Sequence, residues 1–277
     1  MTPMLNALFG LTRVVLALAI VAACASRADA QFRPPPAAAI GEKYHVEVSY
    51  LFWNPTPELI ISSESLGIAG DDVNLITDLG IEKQRFRELR VVLRPGRKHK
   101  FRFNYTPIKY EAQAPVTRQF IFNGLRYPVG LLVSTSADLT TLRGAYEYDF
   151  FYTDRGFAGV VLDLKYTNID VELNSPIGLE FVKSVAPIPG IGVIGRGYLF
   201  ANVSITGEMT YFRVPENLGG EDFGGRYLDF DLYGTFNFTD NVGAQLGYRS
   251  IDVNYFADLD AGTLKFKGMY FGGVVRF

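Results

Sequence analysis

The sequence predicts an all-β protein, a single antiparallel transmembrane β-barrel of ten strands, with eight or twelve strands as the alternatives. Three observations favour this fold class. Segments of about ten residues alternate apolar and polar positions over most of the chain. The connections between them alternate between short and long, and the last segment ends on an aromatic residue, Phe277. After the N-terminal segment, no stretch approaches the ~18 consecutive apolar residues of a membrane-spanning helix.

Each predicted strand has two different faces, because successive side chains of a strand point to opposite sides of the sheet. Phe230 and Leu232 share one face of the segment 228–238, whereas Asp229 and Asp231 share the other. The ten strands are predicted at 44–53, 86–94, 98–110, 139–152, 157–171, 190–199, 202–213, 226–238, 241–255 and 263–277. The segments "ELIISSES" and "RQFIFNG" are further strands or loop ribbons, which leaves the strand number open.

The connections predict how the barrel lies in the membrane. Four are short and rich in turn-forming residues: 95–98, 153–156, 200–202 and 239–241. They alternate with longer connections at 54–85, 111–138, 172–189, 214–225 and 256–262. Short periplasmic turns and longer outer loops are typical of outer-membrane barrels. The segment 175–190, "SPIGLEFVKSVAPIPG", is unusually apolar for an exposed loop, and we expect its side chains to pack inward, with the outer leaflet or a partner as alternatives.

The N-terminal region predicts export. Residues 1–30 contain Arg13, an apolar run and the small-residue sequence "ADA", the pattern of a signal peptide cleaved after Ala30. Cleavage there removes the only cysteine, Cys24, which as an alternative is lipidated. Residues 31–43 read as a Pro- and Ala-rich periplasmic tether, and 44–277 as the barrel. The net charge of −2 gives no reason to expect nucleic acid as a partner.

The apolar face is predicted to contact lipid, because hydrocarbon cannot hydrate charged groups. Aromatic residues near strand ends would form the interfacial girdles: Tyr50, Phe52, Phe101, Tyr152, Phe236 and Phe238. The final strand "GMYFGGVVRF" resembles the closing strand of small bacterial outer-membrane β-barrel proteins, with Met269, Phe271, Val275 and Phe277 as its assembly signal. The resemblance implies outer-membrane lipid, barrel-assembly machinery and periplasmic chaperones as partners, and the cell outer membrane as the location.

The opposite face is predicted to line a polar lumen. Its acidic members are Glu47, Glu88, Glu147, Asp149, Asp163, Glu208, Asp229 and Asp231, and its basic members are Arg90, Arg102, Arg143, Lys165, Arg196 and Arg249. These near-balanced charges suit either a water-filled conduit or internal ion pairs. Because barrels of about eight strands are filled by side chains, we expect ion pairs.

The sequence therefore predicts a structural or surface-interaction protein without catalysis, cofactor or metal. A narrow, porin-like pore or transporter for small solutes is the alternative, and a surface hydrolase is a second one. A hydrolase needs a general base near the outer rim. The only two histidines, His45 and His99, lie beside predicted periplasmic ends. The acidic segments 69–80 and 258–262 do not fit the spacing of a Ca²⁺-binding loop.

Overall fold

A computed structural model describes residues 39–64, 68–214, 223–257 and 260–277, which form strands joined by turns and loops. These ranges contain no helix long and apolar enough to cross a membrane. Ten antiparallel strands pair with their neighbours in chain order, and the last one pairs with the first. The predicted ten-stranded closed barrel is confirmed.

Three further strands lie outside the barrel wall, as the full order shows. The strands are β1 (Val46–Ser63), β2 (Val73–Asn74), β3 (Phe86–Gly96), β4 (His99–Pro115), β5 (Phe120–Phe122), β6 (Leu125–Tyr127), β7 (Leu132–Thr153), β8 (Gly156–Ser175), β9 (Gly178–Phe200), β10 (Val203–Val214), β11 (Phe223–Asn237), β12 (Val242–Ala257) and β13 (Asp260–Arg276). The short β2 pairs with β1, and β5 and β6 form a separate hairpin.

The barrel closes between β1 and β13, whose register runs from Glu47 opposite Arg276 to Ser63 opposite Asp260. Phe277 extends this closure, because its N–H donates to the Val46 carbonyl at 2.9 Å and its own carbonyl accepts from the Val46 N–H at 3.0 Å. With β1 and β13 paired, neither is left as the open edge of the sheet.

The turns at one end of the barrel are short, as the sequence predicts. They comprise residues 97–98, 154–155, 201–202 and 238–241. The second of these turns requires glycine at its exit. Gly156 has φ +152°, and a Cβ atom there would lie 2.3 Å from the Arg196 carbonyl oxygen.

The predicted long connections at 172–189 and 256–262 are wrong. β8 continues to Ser175 and β9 begins at Gly178, so only two residues connect them. Likewise β12 reaches Ala257 and β13 begins at Asp260. At 54–85, "ELIISSES" begins within β1, and at 111–138 "RQFIFNG" contributes to the β5–β6 hairpin. Most of the connection 214–225 lies outside the described residues.

The wall has two zones, and they differ in which face is apolar. Next to the short turns, the outward side chains are apolar and exposed, as with Leu162, Leu164 and Tyr166 on β8. From Gly156 to Tyr166 the tilted strand rises about 25 Å, the height of the apolar band of an outer-membrane barrel. Beyond Tyr166 the outward positions of β8 become polar, beginning with Asn168.

In the outer zone the pattern inverts, and apolar side chains point inward. Ile169, Val171 and Leu173 on β8 are buried there, while the outward positions Asp170 and Glu172 are partly exposed. On β8 this zone therefore has the apolar interior and polar exterior of a water-soluble β-barrel, whereas Leu179 and Phe181 at the same level of β9 are exposed. The inversion explains why strand boundaries were predicted too short at their outer ends.

The predicted girdle position of Tyr152 is wrong. A register irregularity between Asp149 and Phe151 in β7 shifts the alternation of side chains by one residue. Phe150 and Phe151 are both exposed as a result, whereas Tyr152 packs against a small buried cluster that includes Phe157.

Candidate functional site: the barrel lumen

The fourteen charged residues predicted for the lumen all lie on its side of the wall, and all but Arg90 and Glu208 are buried. Several of their contacts join strands that are not neighbours in the wall. Arg249 on β12 contacts Glu88 on β3, and Arg90 on β3 contacts Asp231 on β11. Such contacts can only cross the barrel interior. The lumen of the membrane zone therefore holds charge pairs that reach across it, and we call these charged residues together the lumen network.

The first part of this network joins β3, β11 and β12. Arg249 donates to both oxygens of Asp229, at 3.1 and 2.8 Å, and to Glu88 at 2.9 Å. Arg90 binds Glu88 at 2.8 Å and Asp231 at 2.6 Å. Two guanidinium groups therefore bind three carboxylates, and the planar guanidinium fixes the geometry of each pair.

A second part lies at the β7, β8 and β10 wall. The guanidinium of Arg143 donates to Asp163 at 2.7 Å and also to Glu208. Lys165 donates to the same Asp163 oxygen at 2.6 Å and to the Thr210 hydroxyl at 3.1 Å. Buried charges are tolerated only when they are paired in this way.

A third part lies between β4 and β7. The Lys100 ammonium contacts Glu147 at 2.7 Å and Asp149 at 2.8 Å, and Arg102 donates to Glu147. The Lys100 nitrogen also lies 3.2 Å from the centre of the Phe157 ring. The ring face thus provides a further partner for the buried ammonium group.

Residues 39–45 cross the periplasmic opening, and we call this segment the periplasmic strap. Within it, Glu42 accepts from Arg196 at 3.5 Å and lies 3.7 Å from Arg94. Arg94 also donates to the Glu42 carbonyl at 2.5 Å. Next to the strap, Arg276 binds Glu47 at 2.6 Å. Charged contacts therefore join the strap to the barrel wall at the periplasmic end.

Four of these charged residues were not predicted for the lumen, namely Glu42, Arg94, Lys100 and Arg276. The alternation of side chains along a strand was enough to predict the direction of three of them. Lys100 lies two residues before Arg102, and Arg94 lies four residues after Arg90, so each points to the same side of the wall as that arginine. Arg276 shares its face with Tyr270, which is fully buried. Glu42 precedes the first strand, so no periodicity in the sequence predicts its direction.

Little space remains between these side chains. A cavity of about 20 Å³ lies among the charged groups, between Glu47 and Arg102 on one side and Asp229 and Arg249 on the other. One ordered water needs roughly 10–15 Å³, so the volume of this cavity suits one buried water.

The outer zone is filled differently, by an apolar core. Buried side chains of the wall meet buried side chains of two inserted loops, residues 71–81 and 116–131. The core includes Leu51, Trp53, Leu59, Val73, Leu75, Leu79, Ile81, Phe86, Tyr110, Val116, Phe120, Phe122, Tyr127, Val133, Leu139, Val171, Leu173, Leu264 and Phe266. The inserted loops contact each other, since the Arg118 guanidinium donates to Asp78 at 3.0 Å. We call this arrangement the outer plug.

The other predicted residues lie outside the lumen network. His45 precedes β1, and His99 begins β4, where its ring lies 2.6 Å from the Tyr146 hydroxyl. Both are at the periplasmic end. Met269, Phe271, Val275 and Phe277 are exposed on the outward, lipid-facing side. Within the described part of the chain, no group of three or more His, Cys, Asp and Glu side chains is arranged to hold a metal ion.

The apolar segment 175–190 does not pack as expected. Leu179, Phe181 and Val185 of β9 are exposed, so the expected inward packing is wrong for them. They share the outward parity of Ile191 and Val193 within the lipid-facing band. On the facing strand Asp170 forms an ion pair with Lys183 at 3.0 Å.

Comparison with solved structures places the fold among outer-membrane β-barrels. The chain is similar to the outer membrane protease OmpT from Escherichia coli, with a TM-score of 0.52 and 7% identity over 89% of this chain and 99% of that one. It is also similar to the toluene transporter TodX from P. putida (TM-score 0.38, 7% identity, 84% and 90% covered). The attachment invasion locus protein Ail from Yersinia pestis has a TM-score of 0.34 and 7% identity, with 83% and 99% covered. No family model and no curated protein matches the sequence.

Proposed function

We propose that this chain is an integral outer-membrane β-barrel with a sealed lumen and a structural or surface-interaction role, without catalysis or conduction. The observation that carries this proposal is the double filling of the barrel. Charged side chains occupy the membrane zone, and the outer plug fills the zone above it. A solute would have to break both.

The chemistry of the lumen favours this role over that of a pore. Water channels are typical of barrels with 16 or more strands, whereas barrels near eight strands are filled by side chains. Here Arg249 and Arg90 bridge opposite parts of the wall, and the cavity between the charges measures about 20 Å³. Removing water from a charged interior is costly unless the charges pair, and the pairs are present.

The position of the titratable groups favours this role over that of a hydrolase. The two histidines of the chain lie at the periplasmic end, away from any substrate at the cell surface. Asp229 and Asp231, which share one face, are both engaged by arginine side chains. A general base must be free to accept a proton from its substrate.

Single-channel recording in planar lipid bilayers tests the sealed lumen. We expect the refolded barrel to insert without steady conductance steps at either polarity. A shift in gel mobility on heating confirms that the protein added is folded, so that silence is not due to unfolded chains. Reproducible conductance steps of one size would refute the sealed lumen and support the narrow pore.

A further inference from the structure

Exposed apolar side chains gather at the outer ends of β7, β8 and β9, beyond the lipid-facing band. They are Val129 and Leu132, where the chain enters β7, Ile177 in the β8–β9 turn, and Leu179 and Phe181 on β9, and they are 44–64% exposed. Single exposed apolar residues are common on protein surfaces, whereas a cluster of them indicates an interaction site. We call these five residues the apolar crown.

The register of the strands places the crown residues near one another. Leu132 lies two residues before Ser134, which is paired with Asn174, and Asn174 is paired in turn with Leu179. Leu132 and Leu179 are therefore two strands apart, a sideways separation of roughly 10 Å. Ile177 lies in the turn that connects those two outer strands. The crown is thus one continuous apolar surface.

The β5–β6 hairpin supports the crown from inside the barrel. Gly178 lies so close to this hairpin that a Cβ atom there would be 3.0 Å from Leu125 Cδ1. The side-chain amide of Asn123 also donates to Glu180, the neighbour of two crown residues in the chain. A surface that is held in place before binding loses less conformational entropy when a partner binds.

A polar belt separates the crown from the lipid. Above Leu142, the last exposed apolar residue of the band on β7, the outward positions are Thr140, Asp138, Ser136 and Ser134. Ten residues of a tilted strand rise about 25 Å, so Leu132 lies about that far above the band, and Phe181 lies about 15 Å above it. The headgroup region extends only roughly 5–8 Å beyond the hydrocarbon. Lipid therefore does not cover the crown.

The outer surface beside the crown is acidic. On β4, β7, β8 and β9 the outward positions above the band carry four carboxylates and two lysines: Glu111, Asp138, Asp170 and Glu172 against Lys109 and Lys183. Both lysines are already paired, Lys109 with Glu111 at 2.7 Å and Lys183 with Asp170 at 3.0 Å. Among the described residues, no basic group lies within ion-pair distance of Asp138 or Glu172. Their negative charges are left for a partner.

A cavity of about 410 Å³ lies in this acidic surface, and we call it the acidic cavity. Its wall includes the carboxylates Glu111 and Glu172 and the amides Gln113 and Asn174. The volume is within the range of small-molecule sites, roughly 300–1,000 Å³, and is large enough for a basic side chain. Glu172 is the cross-strand partner of Phe181, so the cavity begins about 5 Å from the crown. One ligand can therefore contact both.

We propose that the apolar crown and the acidic cavity together bind a polypeptide segment that carries apolar side chains next to a lysine or arginine. The apolar side chains cover Leu179 and Phe181, and the basic group enters the cavity and pairs with Glu172. A second copy of this chain fits less well, because its own carboxylates would face these, and like charges across an interface oppose binding. This proposal rests on the proposed surface-interaction role and names the class of partner.

The test measures peptide binding to the refolded barrel in phosphatidylcholine nanodiscs by fluorescence anisotropy. The probe is a fluorescein-labelled peptide of four leucines followed by four arginines. Two control peptides replace the leucines with serines or the arginines with glutamates, and empty nanodiscs give the background. We expect the wild-type barrel to bind the probe about tenfold more tightly than either control peptide, because each control lacks one of the two contacts.

Matched variants locate the binding surface. Leu179→Ser/Phe181→Ser should weaken binding of the probe about tenfold, because apolar and aromatic anchors carry most of the affinity of an interface. Glu172→Gln should weaken it by a similar factor at low salt, and the wild-type affinity should itself fall as salt is added. The controls are Ile68→Ser, an exposed apolar residue outside the crown, and Glu58→Gln, an exposed carboxylate on β1. Both should leave the affinity unchanged.

Each outcome decides the proposal. Equal binding of the probe and the glutamate peptide, unchanged binding by a folded Leu179→Ser/Phe181→Ser, or an equal loss in the two control variants would overturn it. If the double variant does not fold, Glu172→Gln decides alone. If the crown variants change the sedimentation of the barrel while the probe does not bind, a second copy covers the crown, and the proposal is wrong.

The bilayer recording separates this proposal from the sealed lumen. Failure to bind the probe by a barrel that is electrically silent refutes the peptide site and leaves the sealed lumen intact. Steady conductance by a barrel that binds the probe refutes the sealed lumen and leaves the peptide site intact.

Discussion

Replacing Arg249 with alanine should strongly destabilise the barrel, because this side chain holds the centre of the lumen network. Its guanidinium makes three hydrogen bonds to two carboxylates, at 2.8, 2.9 and 3.1 Å. It also lies over the Trp53 ring, 5.6 Å from the ring centre. Truncation leaves Asp229 without the side chain that binds both of its oxygens.

The expected magnitude follows from this burial. Removing one partner of a buried ion pair costs about 3–5 kcal/mol, because the remaining charge cannot be hydrated. Lys109→Ala provides the matched control. Its pair with Glu111 is 2.7 Å long, but the two side chains are 56% and 66% exposed. An exposed pair contributes about 0–1 kcal/mol. The difference between the two variants should therefore be several kcal/mol.

Urea unfolding of the refolded protein in lipid vesicles measures this difference. The chain has one tryptophan, Trp53, and it is fully buried within the outer plug, so its fluorescence reports the loss of the packed interior. The double variant Arg249→Ala/Asp229→Ala should be more stable than the sum of the single effects predicts, since both partners are removed together. If Arg249→Ala lowers the free energy of unfolding by less than about 1 kcal/mol, then water fills the lumen and the sealed barrel is wrong.

Three other predictions concern the membrane surface, orientation and strap. Phe277→Asp should reduce folded yield in vesicles, measured by heat-dependent gel mobility, because the side chain is 70% exposed on the lipid-facing surface; unchanged yield would contradict this. Cysteine at Ile177 should be labelled on intact cells by an impermeant thiol reagent and cysteine at Gly96 should not, since those turns lie at opposite ends; the reverse pattern would invert the topology. Glu42→Gln should increase proteolysis near the strap by weakening its attachment to Arg196, and wild-type protection would show that backbone hydrogen bonds suffice.

The sequence was most informative in the membrane zone, where a single rule governs the strands. There most outward positions are apolar and most charged side chains point inward, so parity predicts both the strand and the direction of its side chains. Asp229 and Arg249 could be assigned to the lumen without knowing which strands are neighbours. Their partnership could not, because register between strands depends on pairing and not on the pattern within one strand.

The outer zone was predicted poorly for the same physical reason. Above the band the exterior meets water, and the inward face becomes apolar to hold the inserted loops. Around Ile169 and Leu173 apolar and polar residues still alternate, but here the apolar side chains point inward. On β9, apolar residues such as Phe181 still point outward. A segment in which apolar and polar residues do not alternate as in the membrane zone is therefore interpreted from the sequence as a loop. Tyr152 shows a smaller case, where one bulge reverses the direction of every later side chain in the strand.

In the sealed barrel that we propose, the two zones are held by unrelated interactions, and this has a consequence for opening it. The charge network is held by pairs such as Arg90 with Asp231, which weaken when a partner is removed. The outer plug is held by burial of side chains such as Phe120 and Leu75, which are insensitive to charge. A change that disrupts one seal leaves the other in place. A conducting state therefore requires both the withdrawal of the loops and a rearrangement of the lumen charges, so single substitutions in either zone should alter stability before they alter permeability.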